Sequence, residues 1–280
     1  MVTFGRTPFI LHPVLREGND LLPISCRVLE QHLRWFPFGV ARSLGFADTV
    51  LATAVENYVA DLLDTLKLEY TREPRTGTDA EPGKSPDFVL PFEGGRLLLE
   101  VKATDLPELP AVLGDPQVLY NALESSIVKA VTQLLEFAHR SDPENGIETF
   151  ALVVTPWELD LGPFPNLWEH SLRPGVLGSL AALGFDGSSI PPNRIWLVSM
   201  RELEVSLQIA AASESTLWTA LKQAAIADLA SNTQRFCLRQ HLPEEASLPL
   251  PELVRRAEIA FWHYAGSTFH DFDPSRIPIQ

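Results

Sequence analysis

The chain has 280 residues, 45% of them hydrophobic and 21% charged, and a formal net charge of −14. That length suits one large domain or two small ones, and no run approaches the roughly 18 apolar residues of a membrane helix. The negative balance excludes a protein that grips nucleic acid with its whole surface, since phosphate binding calls for basic surface.

In chain order, residues 1–47 mix aromatics, prolines and apolar residues without a clean period, with a helix predicted from Ser25 to Trp35 and a break at Pro37-Phe38-Gly39. From Thr49 to Leu66 the pattern becomes helical: Val50, Ala54, Tyr58, Leu62 and Leu66 recur every four residues, with Val55, Val59 and Leu63 beside them. Glu56 lies inside this helix. Leu68 to Arg72 reads as a short strand, and Glu73 to Ser85 as a polar loop rich in Pro and Gly. Phe88-Val89-Leu90 and Arg96 to Val101 are apolar runs joined by Glu93-Gly94-Gly95, a hairpin signal. The second run is almost continuously apolar, which predicts a central strand.

A proline-containing loop, Leu106 to Pro116, precedes a long amphipathic helix from Gln117 to Arg140. Thr149 to Thr155 and Arg194 to Ser199 are predicted buried strands, separated by a Pro/Gly-rich excursion with Trp157, Trp168 and a short helix over Leu177 to Leu183. Helices follow over Met200 to Ala212, Thr216 to Ala230 and Leu253 to Tyr264. The order predicts an α/β sandwich with a mixed central sheet.

The chemistry-bearing constellation is Asp87 with Glu100 and Lys102. Asp87 opens one strand of the hairpin and Glu100 stands near the end of the other, with 12 residues between them. Strands joined at their far ends bring these positions together. Glu100 and Lys102 are two apart on a strand and project from one face. Two carboxylates suit a hard cation such as magnesium, to which the Val101 carbonyl would add an oxygen, and the cation would polarise phosphate and activate water. Lys102 would orient or help deprotonate that water, or stabilise developing charge.

Ser85-Pro86-Asp87 followed by Leu98-Leu99-Glu100-Val101-Lys102-Ala103 resembles the PD-(D/E)XK nuclease superfamily, whose fold is restriction-endonuclease-like. The resemblance spans roughly residues 50 to 205, and the Asp, Glu and Lys of the motif are intact. It implies a metal-dependent nuclease, DNA before RNA, in restriction, defence or repair. Mg²⁺ would be the cofactor, with Mn²⁺ as a substitute, held by Asp87, Glu100, Val101 and Glu56, since an upstream helix often supplies such a glutamate. Lys129 and Gln133, four apart on the long helix, match polar residues that often follow the motif. The division it implies is an N-terminal extension over 1–48, a nuclease core over 49–205 and a helical C-terminal segment over 206–280. A local basic patch, a partner subunit supplying the DNA-binding surface, or a substrate other than long nucleic acid would reconcile nuclease chemistry with the acidic charge, and a homodimer would supply the two active sites of a double-strand break.

Blander readings stand beside this one. Asp87 alone reads as a solvated strand-start aspartate, Glu56 as an exposed helix residue, and Lys84 and Arg72 as loop cations able to meet phosphate. A structural Asp–Glu–Lys ion cluster is the alternative for the motif itself. His263 and His270 match no zinc spacing with Cys237, and Ser125-Ser126 lacks the elbow of a serine hydrolase. The second functional reading is a non-catalytic nuclease-fold scaffold or recognition subunit that docks through 206–280. The N-terminus, MVTFGRTPFILHPVLREGND, lacks the pattern of a secretory signal. Cys26 and Cys237 read as buried free thiols, so a cytoplasmic location is expected.

Overall fold

A computed structural model describes residues 14–17, 20–23, 50–77, 82–104, 116–142, 146–159, 161–185, 189–230, 232–243 and 256. The helix expected over Ser25 to Trp35, nearly all of that over Leu253 to Tyr264, most of the loop before Pro116, and Cys26, His263 and His270 lie outside these residues.

Strands β1 (Val14–Glu17) and β2 (Asp20–Pro23) form a small antiparallel ladder. Helix α1 spans Ala52–Leu66 and buries Val55, Val59, Ala60, Leu62 and Leu63. It ends where Lys67 turns left-handed at φ 57° and its amide closes on the Asp64 carbonyl. The strand expected over 68–72 shortens to β3, Thr71–Arg72, and the polar loop after it holds a two-residue ladder of β4 (Thr76–Gly77) with β5 (Pro82–Gly83). The hairpin is present as β6 (Phe88–Phe92) and β7 (Gly95–Val101). Gly94 takes φ +85° in its turn, a conformation that a side chain disfavours.

The long helix is three pieces: α2 (Pro116–Leu123), a π-helical segment (Glu124–Val128) and α3 (Lys129–Ser141). Then come β8 (Glu148–Thr155), α4 (Phe164–Leu167), a second π segment (Trp168–Leu172), α5 (Arg173–Ala182) and β9 (Ile195–Ser199). Helix α6 (Met200–Ala212) begins on a capping box: the Ser199 hydroxyl accepts from the Glu202 amide, and the Glu202 carboxylate accepts from the Ser199 amide. Helix α7 spans Glu214–Ala227.

The main sheet runs β3-β6-β7-β8-β9, antiparallel as far as β7 and parallel across β7, β8 and β9. Parallel neighbours need crossovers, here the α2–α3 and α4–α5 helices. Alternation along β7 divides its side chains between two layers. Leu97, Leu99 and Val101 join Val59, Leu62, Phe150, Trp196, Leu207 and Leu217 in the layer built with α1, α6 and α7. Leu98 joins Ile127, Val131, Leu134, Val153, Trp168 and Ile195 in the layer built with α2–α3 and α4–α5. The protein is therefore an α/β sandwich with a mixed five-stranded sheet flanked by helices, as the order of predicted elements implied. Position 205/206 falls inside α6, and Leu207 and α7 belong to the same core as the sheet. Cys237, expected buried, is half-buried. Trp168, Trp196 and Trp218 are core residues. Among the described residues, no helix is long and apolar enough to cross a membrane.

Candidate active site

Glu100 carries the parity of Leu98, so it leaves β7 toward α3. Its side chain has no exposed surface, in a layer otherwise packed with Leu, Ile and Val. A carboxylate so placed needs partners. It has three: the Lys102 ammonium donates to Oε1 at 2.5 Å, the Gln133 side-chain amide to Oε2 at 2.9 Å, and the Asp87 backbone amide to the same carboxylate. Asp87 is bound in return, since its Oδ2 accepts from the Val101 amide at 2.6 Å. Each of the two acids thus holds a peptide N–H at, or next to, the other.

Burial and mutual repulsion shape the electrostatics. The Glu100 carboxyl is pushed up to about 8, first by burial and then by the charge of Asp87, against the opposing pull of Lys102. Asp87 is also raised, by burial, with the Val101 amide and Lys102 opposing. Glu56 is raised by burial and by Asp87, with Arg72 and Lys102 opposing. Burial is the first cause in all three, and the Lys102 ammonium opposes it in each.

The donor set fits a hard cation: it offers oxygens alone, from Asp87 and Glu100, and the excess negative charge would be relieved by a divalent ion. Val101 sits between Glu100 and Lys102, with its carbonyl as the further expected ligand. Among the described residues, no group of three or more His, Cys, Asp or Glu side chains is disposed to hold a metal. Glu56, on α1, feels the charges of Asp87 and Lys102 and pairs with Arg72 at 3.9 Å.

Gln133 is brought in, donating to Glu100 and also to the Ser85 carbonyl. Lys129, one turn earlier, is exposed and makes none of these bonds. Lys84 is exposed on the loop before Asp87, and Arg72 lies over the Phe88 ring at 5.8 Å. The sequence reading missed Glu136, whose carboxylate accepts from the Lys84 amide at 3.4 Å. Its signal was a polar stripe at helical spacing, Lys129, Gln133, Glu136 and Arg140, on a helix read mainly for its apolar face.

No family model matches the chain, and no curated protein does. Among solved structures it is similar to the small subunit of the heterodimeric restriction endonuclease R.BspD6I, at 13% identity and a TM-score of 0.32, over 62% of this chain and 84% of that one. A likeness of this strength leaves the fold to be read from the sheet itself, and the function from the acids at its rim.

Proposed function

We propose that the chain is a magnesium-dependent nuclease that hydrolyses phosphodiester bonds in DNA, in a restriction, defence or repair setting. The observation that carries this reading is the reciprocal pairing of Asp87 and Glu100, both with raised proton affinity, beside the Lys102 ammonium.

Mg²⁺, with Mn²⁺ as a substitute, would polarise the scissile phosphate and lower the pKa of an attacking water. Asp87 and Glu100 would hold it, with the Val101 carbonyl. Lys102 keeps 24% of its side chain exposed, which leaves its ammonium able to hydrogen-bond the water and stabilise charge on a phosphoryl oxygen. Gln133 orients Glu100. Glu56 and Arg72 line the approach as an ion pair, Glu56 tuning the field at Asp87 or positioning a second cation. A net charge of −14 opposes phosphate binding by the chain as a whole, so a partner subunit completes the DNA-binding face, and a homodimer would pair two active sites for double-strand cleavage.

The same charge favours a second reading, a non-catalytic scaffold or recognition subunit. One assay separates the two. Purified protein is incubated with plasmid, linear DNA and RNA in Mg²⁺ or Mn²⁺, beside Asp87→Ala and Lys102→Ala. Cleavage by the wild type alone supports the nuclease. Intact nucleic acid in every lane, with and without native partners, leaves the scaffold.

A further inference from the structure

We propose that Glu136, paired with Arg140, is a positioning residue of this site: its buried carboxylate fixes the Lys84–Pro86 backbone that presents Asp87 to Glu100. The inference rests on the nuclease reading for its catalytic consequence, though its geometry stands by itself.

The Glu136 side chain is 4% exposed, on α3 one turn beyond Gln133. Its Oε1 accepts from the Lys84 amide at 3.4 Å and from Arg140 Nε at 3.0 Å, and its Oε2 is buried with no hydrogen-bond partner among the described residues. A buried carboxylate costs more than an apolar side chain of similar size unless its partners are held in place. Here they are. The Arg140 guanidinium lies over the Phe185 ring at 5.0 Å, and its stem passes so close to Gly83 that a Cβ there would stand 2.8 Å from Cδ.

The same stretch is tied twice more. The Thr76 hydroxyl donates to the Lys84 carbonyl at 3.3 Å, and Gln133 donates to the Ser85 carbonyl. The backbone is therefore pinned at Lys84 N–H, Lys84 C=O and Ser85 C=O, and buried Pro86 passes that placement on to Asp87. Of these three ties, the one from Glu136 is the one that holds the Lys84 N–H, and it reaches that amide from α3 at 3.4 Å.

The Val101 amide reports where Asp87 stands, because it donates to the Asp87 carboxylate at 2.6 Å. Its ¹H–¹⁵N resonance is measured in wild type, Asp87→Ala, Glu136→Ala and Glu136→Gln. Glu136→Ala is expected to move the Val101 proton toward its Asp87→Ala position, while Glu136→Gln, which keeps an acceptor for Lys84, stays with wild type. An unmoved Val101 resonance in Glu136→Ala, or a Glu136→Gln shift as large as that of Glu136→Ala, overturns the proposal. Should Glu136→Ala fail to fold, Arg140→Met replaces it, with a smaller shift expected in the same direction and no shift counting against the proposal. In cleavage assays, Glu136→Ala should raise the Mg²⁺ concentration for half-maximal rate roughly 10-fold, as loss of a group supporting a metal ligand does, with KM for DNA unchanged. A wild type that cleaves nothing sinks the nuclease reading, while the Val101 resonance still decides this one.

Discussion

The Val101 amide donates to the Asp87 carboxylate, and the Asp87 amide donates in turn to the carboxylate of Glu100, so main-chain bonds lock the two acids together beside their shared counter-charge, Lys102. Main-chain locks survive loss of the charge that they hold. Asp87→Asn keeps an acceptor oxygen for Val101 and should fold with near wild-type circular dichroism. Without the carboxylate charge, DNA cleavage in Mg²⁺ should fall by roughly 1,000-fold, the several kcal/mol that metal catalysis supplies. Plasmid nicking rates measure this, and a variant within tenfold of wild type would remove Asp87 from the chemistry.

Stability should depend on pH in a particular direction. Glu100 has an ordinary value of 4.5 and in the folded chain is pushed up to about 8. Between those values the folded state holds a proton that the unfolded state has released, so stability falls as pH rises through that window. Asp87 and Glu56, also raised, act in the same sense. Melting in EDTA should therefore show Tm dropping from pH 5 toward pH 8, the Glu100 share being on the order of a few kcal/mol. Glu100→Gln should flatten the slope and melt higher at pH 8. Mg²⁺ should raise Tm more at pH 8 than at pH 5, because protons and the cation compete for the same oxygens. Parallel wild-type and Glu100→Gln curves would contradict this.

Gln133→Leu should be costly and Lys129→Ala silent, although the two residues are one helical turn apart. The first leaves Glu100 Oε2 and the Ser85 carbonyl each short of a donor, a loss of roughly 2 kcal/mol or more. The second removes an exposed side chain and should stay within about 0.5 kcal/mol. Urea denaturation of both variants checks the contrast.

The hairpin turn offers a test of the fold alone. A Cβ at Gly95 would collide with both the Glu148 carbonyl oxygen and the Trp218 ring, and backbone does not give way there. Gly95→Ala should destabilise by roughly 1–3 kcal/mol or more through overpacking. Gly94, at φ +85°, has open space where a methyl would go, so Gly94→Ala should cost only the left-handed penalty of about 1–2 kcal/mol. Thermal melts that rank the two the other way would argue against the β7–β8 register.

How much of this was legible in the sequence follows from which forces are local. Helix α1, the β6–β7 hairpin, β8, β9, α6 and α7 announce themselves through period and apolar runs, because burial on one side writes a pattern into neighbouring residues. The meeting of Asp87, Glu100 and Lys102 follows from strand pairing alone. Glu56 shows where local pattern stops: its distance from Glu100 depends on which sheet face α1 covers, a decision made by the packing of Val55, Val59 and Leu62 against β7 and β8. Glu136 was hidden in the run Leu134-Leu135-Glu136-Phe137, where its neighbours' hydrophobicity masks a buried charge. The β4–β5 ladder is too short to carry any alternation.

The π-helical segment Glu124–Val128 sets the rotational phase of everything that α3 brings to the rim. A π turn holds one residue more than an α turn, so a single deletion within 124–128 can be absorbed by relaxing to ordinary α geometry. The same deletion at 134 or 135 has no such slack, because it falls between Gln133 and Glu136. It would turn Glu136 and Arg140 about 100° relative to Gln133, so that Glu100 and the Lys84 amide could not both keep their partners. The tolerance of this helix to losing a residue thus changes along its length, and the boundary lies at Gln133.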